Sequence, residues 1–296
     1  MPSPELAAIL AHVPPDFADP SADFEHVRRT FAPFHGHPVR PELQMDFPVL
    51  GGVRCGRYSD ATLPASARIL FHCHGGAFVS CPLDVYHFYA DMLLRYTGSA
   101  VVMPDYRLAP EHRFPAAHDD CFNAYRGLIE SGVDPARVVV VGESCGGSLS
   151  LAALLRARDA GLPTPAGYVS VGGWFDLSVS GPELPPGLDC FLTPGWVRAR
   201  GRDCTGGAIA LDDPRISPAF ADLHGLPPLF LQVAEYDTVR EGAMRVAQGA
   251  IRAGVRVTLE SWPGVVHAWQ GLADQGVPES LAAWRRIRAF LEDVAP

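Results

Sequence analysis

Residues 138–151 read Val-Val-Val-Val-Gly-Glu-Ser-Cys-Gly-Gly-Ser-Leu-Ser-Leu. Four β-branched residues in a row have the unbroken hydrophobicity of a strand buried on both faces. The run then meets a hydroxyl fenced by glycines. Beyond it Leu149, Leu151, Leu154 and Leu155 mark a helix. Gly142-Glu143-Ser144-Cys145-Gly146 is thus a G-x-S-x-G set between a strand and a helix, the context that makes this pentapeptide a nucleophile elbow. The turn is so tight that side chains two places either side of the serine would strike neighbouring backbone. Ser144 itself takes a strained conformation that lifts its hydroxyl clear of the sheet. Centring the elbow on Cys145 puts Glu143 and Gly147 in the crowded positions, and only one of these is glycine. Ser144 is therefore the better centre.

Working outward, short apolar runs alternate with helical patterns from about residue 68. The runs are 68–72, 100–103, 137–141, 167–171, 229–233 and 255–259, with a possible edge meander at 47–58. Helical patterns fall at 85–96, 118–131, 144–160, 239–253 and 278–294. This beat predicts an α/β architecture, a mostly parallel central sheet flanked by helices with right-handed crossovers. Two parts break it. Residues 1–45 carry amphipathic helix signals at Phe24, Val27 and Phe31. Residues about 178–212 are rich in Pro, Gly and Asp. Both are expected to form a lid over the carboxyl ends of the strands, where open α/β sheets bind ligands, with the remainder of 46–296 as the main domain.

Composition narrows the chemistry. The 296 residues allow one large domain with a sizeable core. The formal net charge of -9 argues against nucleic acid or anionic membrane as the main partner. All 24 basic residues are arginine. A P-loop lysine, a Schiff-base lysine and a Ser-Lys dyad are thereby excluded. Seven cysteines, an odd number without CxxC spacing, read neither as a disulfide scaffold nor as a zinc cluster. No apolar run reaches membrane-spanning length, and the expected compartment is the cytoplasm.

A serine nucleophile needs a base and an orienting acid, which follow it in the order acid, then histidine. After Ser144 only His224 and His267 remain. His224 precedes a strand, whereas His267 follows the last one, on the side from which a loop reaches the elbow; His267 is the expected base. Asp237 follows the preceding strand and is the expected acid, with Glu235 as its competitor. Donors for an oxyanion should come from His72-Cys73-His74-Gly75-Gly76-Ala77-Phe78, which has the HGGG form apart from its alanine. The candidate oxyanion hole is Gly75, Gly76, Ala77 and Cys145. His72 and His74 would share one face of a strand, but no third ligand is in view, and no metal is expected.

With these segments in hand the chain resembles the hormone-sensitive lipase family of α/β-hydrolases, the bacterial group IV carboxylesterases. The resemblance rests on His74–Phe78, Asp105-Tyr106-Arg107-Leu108-Ala109-Pro110-Glu111-His112, the Ser144 elbow, Asp213-Pro214-Arg215-Ile216-Ser217-Pro218, and Asp237 with His267. It covers roughly residues 68–295. It implies an α/β-hydrolase with a helical cap that hydrolyses short-acyl esters through an acyl-enzyme, without cofactor. A lactonase or an arylformamidase-like amidase would use the same triad; a non-catalytic receptor on the fold would have lost a triad member. Glu143 and Cys145 stand where the family usually has Asp and Ala, and Ala268-Trp269 where it has Gly-Phe. Cys145 is expected to add bulk near the acyl pocket, and Arg107 to bridge carboxylates such as Glu111. Phe34, Phe78, Phe191, Trp196 and Trp269 are the expected substrate-pocket residues. The expected partner is a small-molecule ester, with a homodimer implied by the resemblance alone.

Overall fold

A computed structural model describes residues 2–14, 16–34, 37–185 and 187–295, the side chain of Phe34 excepted. Among the described residues nine strands form one sheet. They are β1 (Gln44–Asp46), β2 (Val49–Leu50), β3 (Val53–Ser59), β4 (Ile69–Cys73), β5 (Ala100–Pro104), β6 (Val138–Glu143), β7 (Gly167–Val171), β8 (Leu229–Tyr236) and β9 (Val257–Val266). Their order is β1-β3-β5-β4-β6-β7-β8-β9, with β2 paired to β3. Pairing is parallel from β5 to β9 and antiparallel where β3 meets β5, β1 and β2.

The four valines of β6 show why the run is unbroken. Successive side chains of a strand point to opposite faces. Val138 and Val140 enter one core, Val139 and Val141 the other. The first core is closed by α4 (Ala116–Glu130), α5 (Gly146–Asp159) and α7 (Arg240–Arg252), the second by α3 (His87–Thr97) and α8 (Pro278–Val294). Because β6 lies mid-sheet, its carboxyl end opens at the centre of the molecule.

The two parts outside the alternation are helical. The N-terminal segment forms α1 (Pro4–Leu10) and α2 (Phe24–Phe31), and the later segment forms α6 (Pro194–Thr205). Ser3 and Asp23 cap the first two helices and Thr193 the third, each accepting a main-chain N–H in the first turn. Helix α1 lies apart from the other two: Leu6 packs with Val265, Trp269, Val277 and Ala283. Glu279 fastens it by accepting from the N–H and hydroxyl of Ser3, 2.7 and 2.8 Å away.

Candidate active site

Ser144 has φ +50°, a left-handed conformation that costs a non-glycine residue roughly 1–2 kcal/mol. Its surroundings enforce it. The N–H donates to the Val171 carbonyl, and the Ser144 carbonyl accepts from Gly147 and Trp174. A methyl on Gly146 would sit inside the van der Waals shell of the Cys73 carbonyl, and one on Gly142 would strike the Ser150 hydroxyl. The glycines are thus demanded by strand β4 on one side and helix α5 on the other.

Ser144 Oγ lies 2.9 Å from His267 Nε2, and His267 Nδ1 lies 3.0 Å from Asp237 Oδ2. Asp237 is 1% exposed, and its other oxygen accepts from the N–H of Val239 at the start of α7. With Nδ1–H donating to Asp237, Nε2 is left as the acceptor for the serine proton. Burial alone would push the imidazole pKa down. The carboxylates of Asp237, Asp189 and Glu143 outweigh it and hold the pKa above the ordinary histidine value. Glu235 is directed elsewhere, accepting from the Gly264 N–H at 2.8 Å. His224 pairs with Asp222 on an exposed loop.

The loop after β4 carries positive φ at Gly76, Ala77 and Phe78. Among the described residues the N–H groups of Gly76, Ala77 and Cys145 have no protein acceptor. The Gly75 N–H, expected among the donors, instead donates to Glu143 Oε2 at 2.9 Å, so it is not free for an oxyanion. Glu143 is buried and also accepts from the Tyr86 hydroxyl at 2.7 Å; burial raises its pKa. The Cys145 thiol is fully buried, its pKa driven up by burial. Its sulfur accepts from the Phe78 N–H, 3.2 Å away. The expectation of bulk near the acyl pocket is therefore corrected: this side chain sits beneath the Gly76–Phe78 loop and props it. His72 and His74 each stack on a tyrosine, Tyr89 and Tyr106 respectively.

A cavity of about 470 Å³ opens above Ser144 and His267. Phe191 and Trp196 line it as expected, together with Phe17 and Phe31. Two expected pocket residues do not. Trp269 is wholly buried against Trp262, because Ala268 has φ +52° and turns the following side chain inward; Ala268 itself faces the cavity. Phe78, at φ +67°, packs under the loop on Trp174 and His118. The side chain of Phe34 lies outside the described residues. Trp174, Tyr86 and Tyr89 line the cavity and were missed. For Trp174 a signal existed: it follows β7, the strand beside the elbow strand. Arg107 does not reach Glu111 but forks onto Asp120, 2.8 Å from each oxygen.

A family model described as the alpha/beta hydrolase fold matches residues 70–271. The chain belongs to that family. Within it, the chain is a member of the hormone-sensitive lipase group. A crystal structure of an esterase from the bacterial hormone-sensitive lipase family superposes with a TM-score of 0.92, at 31% identity over 100% of both chains. A second, EstE5 soaked with p-nitrophenyl butyrate, gives a TM-score of 0.88 at 28% identity over 98% of each chain. Among curated relatives, an acetyl-hydrolase of Streptomyces hygroscopicus is 37% identical over 76% of this hydrolase and 75% of its own length. An esterase of Acinetobacter venetianus is 31% identical over 86% and 83%. No described helix of this family member is long and apolar enough to cross a membrane.

Proposed function

We propose that this hydrolase is a serine carboxylesterase for short-acyl esters, working through an acyl-enzyme on Ser144. The observation that carries the reading is the unbroken chain Ser144 Oγ, His267, Asp237 at 2.9 and 3.0 Å, facing three unpaired amides. His267 takes the serine proton as Oγ attacks the ester carbonyl. The tetrahedral oxyanion rests on the N–H groups of Gly76, Ala77 and Cys145. The imidazolium, held by Asp237, gives its proton to the departing alkoxide, which leaves as the alcohol. Water then repeats the sequence on the acyl-Ser144 ester and releases the acid. The apolar cavity walls suit the hydrocarbon part of an ester, and the acetyl-hydrolase relative supports a short acyl group.

In the same reading residues 16–34 and 178–212 form the cap, and α1 is a strap on the histidine loop. A cytoplasmic site is supported by seven cysteines, none of which is in a disulfide. A homodimer would use the sheet edge at β9, where Leu259 is exposed, or the last helix, α8; light scattering would test it. The functional test is turnover of p-nitrophenyl acetate and butyrate. Ser144→Ala should lower kcat/KM by several orders of magnitude. Wild-type turnover in that variant overturns the assignment, and a rate maximum at long chains overturns the short-acyl preference.

A further inference from the structure

The turn 189–192 belongs to the segment that breaks the strand-helix beat, yet it is bonded to the triad's own loop. Asp189 is 8% exposed. Its Oδ1 accepts from the N–H groups of Phe191 and Leu192, each 2.9 Å away, which closes the turn on itself. Its Oδ2 reaches across and accepts from the N–H of Thr238 at 2.7 Å. Thr238 returns the contact, its hydroxyl donating to the Leu192 carbonyl at 3.1 Å. Thr238 directly follows Asp237. Phe191 and Leu192, the two residues whose amides Asp189 ties down, are cavity walls.

We propose that Asp189 is a positioning residue of the hydrolase: its carboxylate fixes the main chain beside Asp237 and sets a second negative charge near His267, so that seating the cap and aligning the triad are one event. The proposal rests on the esterase reading given above.

Two physical arguments support it. A buried carboxylate is costly unless its lone pairs are filled, and here three amides fill them. The side chain therefore has to be acceptor-only. An asparagine offers one acceptor oxygen, so whichever way its amide turns, an NH₂ group faces an N–H. The second argument is electrostatic. The titratable groups facing Asp189 are Asp237 and His267 across the boundary, with Cys190 on its own turn. Burial, then the Asp237 charge, pushes the Asp189 pKa to about 6, so above that pH it carries its charge. That charge favours the imidazolium which forms as Ser144 attacks. A substrate pressing on Phe191 and Leu192 presses on the same turn.

The experiment uses the full chain and p-nitrophenyl acetate, with melting curves for every variant. Fluorophosphonate labelling of wild type and loss of turnover in Ser144→Ala test the esterase reading alone; failure there condemns that reading and not the positioning. For Asp189→Asn the expected result is a roughly tenfold lower kcat, the scale of one lost bond to a charged group. KM should stay within about twofold. The acid limb of kcat/KM should move to lower pH, because the imidazolium loses a stabilising charge. Thr238→Ala keeps the charge and the amide bond but drops the hydroxyl link; it should lower kcat and leave the limb in place. Folded Asp189→Asn with an unmoved limb overturns the proposal, whatever its kcat. Should that variant fail to fold, an unchanged kcat in Thr238→Ala overturns it.

Discussion

Arg28 and Glu111 join the N-terminal segment to the catalytic core: the guanidinium forks onto both carboxylate oxygens, at 2.8 Å each. Arg28 also donates to the carbonyl of Val79, at 2.7 Å, and to that of Ala109, at 3.2 Å. Val79 directly follows the Gly76–Phe78 loop, so helix α2 and that loop share one anchor.

The ion pair itself is half exposed, and such pairs contribute only about 0–1 kcal/mol. The carbonyl contacts are less accessible to water. Glu111→Gln should therefore change little at neutral pH, while Arg28→Met should loosen α2. The expected outcome is faster limited proteolysis before residue 24 and a KM raised roughly fivefold, the order of one hydrogen bond. The pair has a pH signature too. Arg28 holds the Glu111 pKa down at about 2, below its unfolded value near 4.5. Its contribution is present above that unfolded value and is lost as pH falls toward 2. Equal sensitivity to Glu111→Gln and Arg28→Met at pH 7 would contradict this division.

The pH profile should report His267. Only the neutral imidazole accepts the serine proton, and its pKa is raised above 6.5 by the three carboxylates around it. The acid limb of kcat/KM is expected above pH 6.5. For stability the sign is opposite. The folded state favours protonated His267, so this contribution is present below the unfolded pKa and fades as pH rises through the folded one. A limb midpoint below 6 would remove the electrostatic account.

The strands and the meeting of Ser144, His267 and Asp237 were legible because their signals are little opposed. The valines of β6 must fill two cores, the glycines around Ser144 must clear Cys73 and Ser150, and the order acid then histidine leaves few candidates. Helix α6 was not legible as a helix. Gly195 and Gly201 interrupt it, and Arg200 is buried within it, so its apolar pattern is thin; only Thr193-Pro194 at its start gave a sign. Asp189 was invisible for another reason: its partner Thr238 lies 49 residues away, and nothing in an irregular, proline-rich stretch marks one aspartate from the next. Trp269 misled because it stands where the family usually has Phe after the histidine, while the left-handed Ala268 here turns its side chain into the core.

Glu143 supports the Gly75–Phe78 loop from below, and the support is specific to its length. Its carboxylate meets both the Gly75 N–H and the Tyr86 hydroxyl, and it lies so close that a Cβ at Gly75 would come within 2.7 Å of Oε1. Glu143→Ala leaves the buried Gly75 N–H unpaired, takes an acceptor from the Tyr86 hydroxyl and frees the loop. A fall in kcat of roughly 10², comparable to loss of one oxyanion donor, is expected with little change in KM. Gly75→Ala should act similarly through the opposite cause, displacement of the carboxylate. Steady-state kinetics on the two variants checks this. If both keep wild-type kcat, the loop does not depend on the carboxylate.

His118 is a stability liability that can be removed without touching the site. It is 2% exposed, packed against Phe78 and Phe114, and among the described residues neither ring nitrogen has a hydrogen-bond partner. Burial drives its pKa down to about 3. The folded state therefore holds the ring neutral while the unfolded chain binds a proton below pH 6.5, so folding is penalised progressively as pH drops from about 6.5 toward 3. At pH 5 the gap of about 1.5 units from the unfolded value corresponds to roughly 2 kcal/mol. His118→Leu removes both the unpaired nitrogens and the titration. Its melting temperature should exceed wild type at pH 8 and exceed it by more at pH 5, with esterase activity retained. A gain independent of pH would mean that packing alone, and not the suppressed proton, sets the effect.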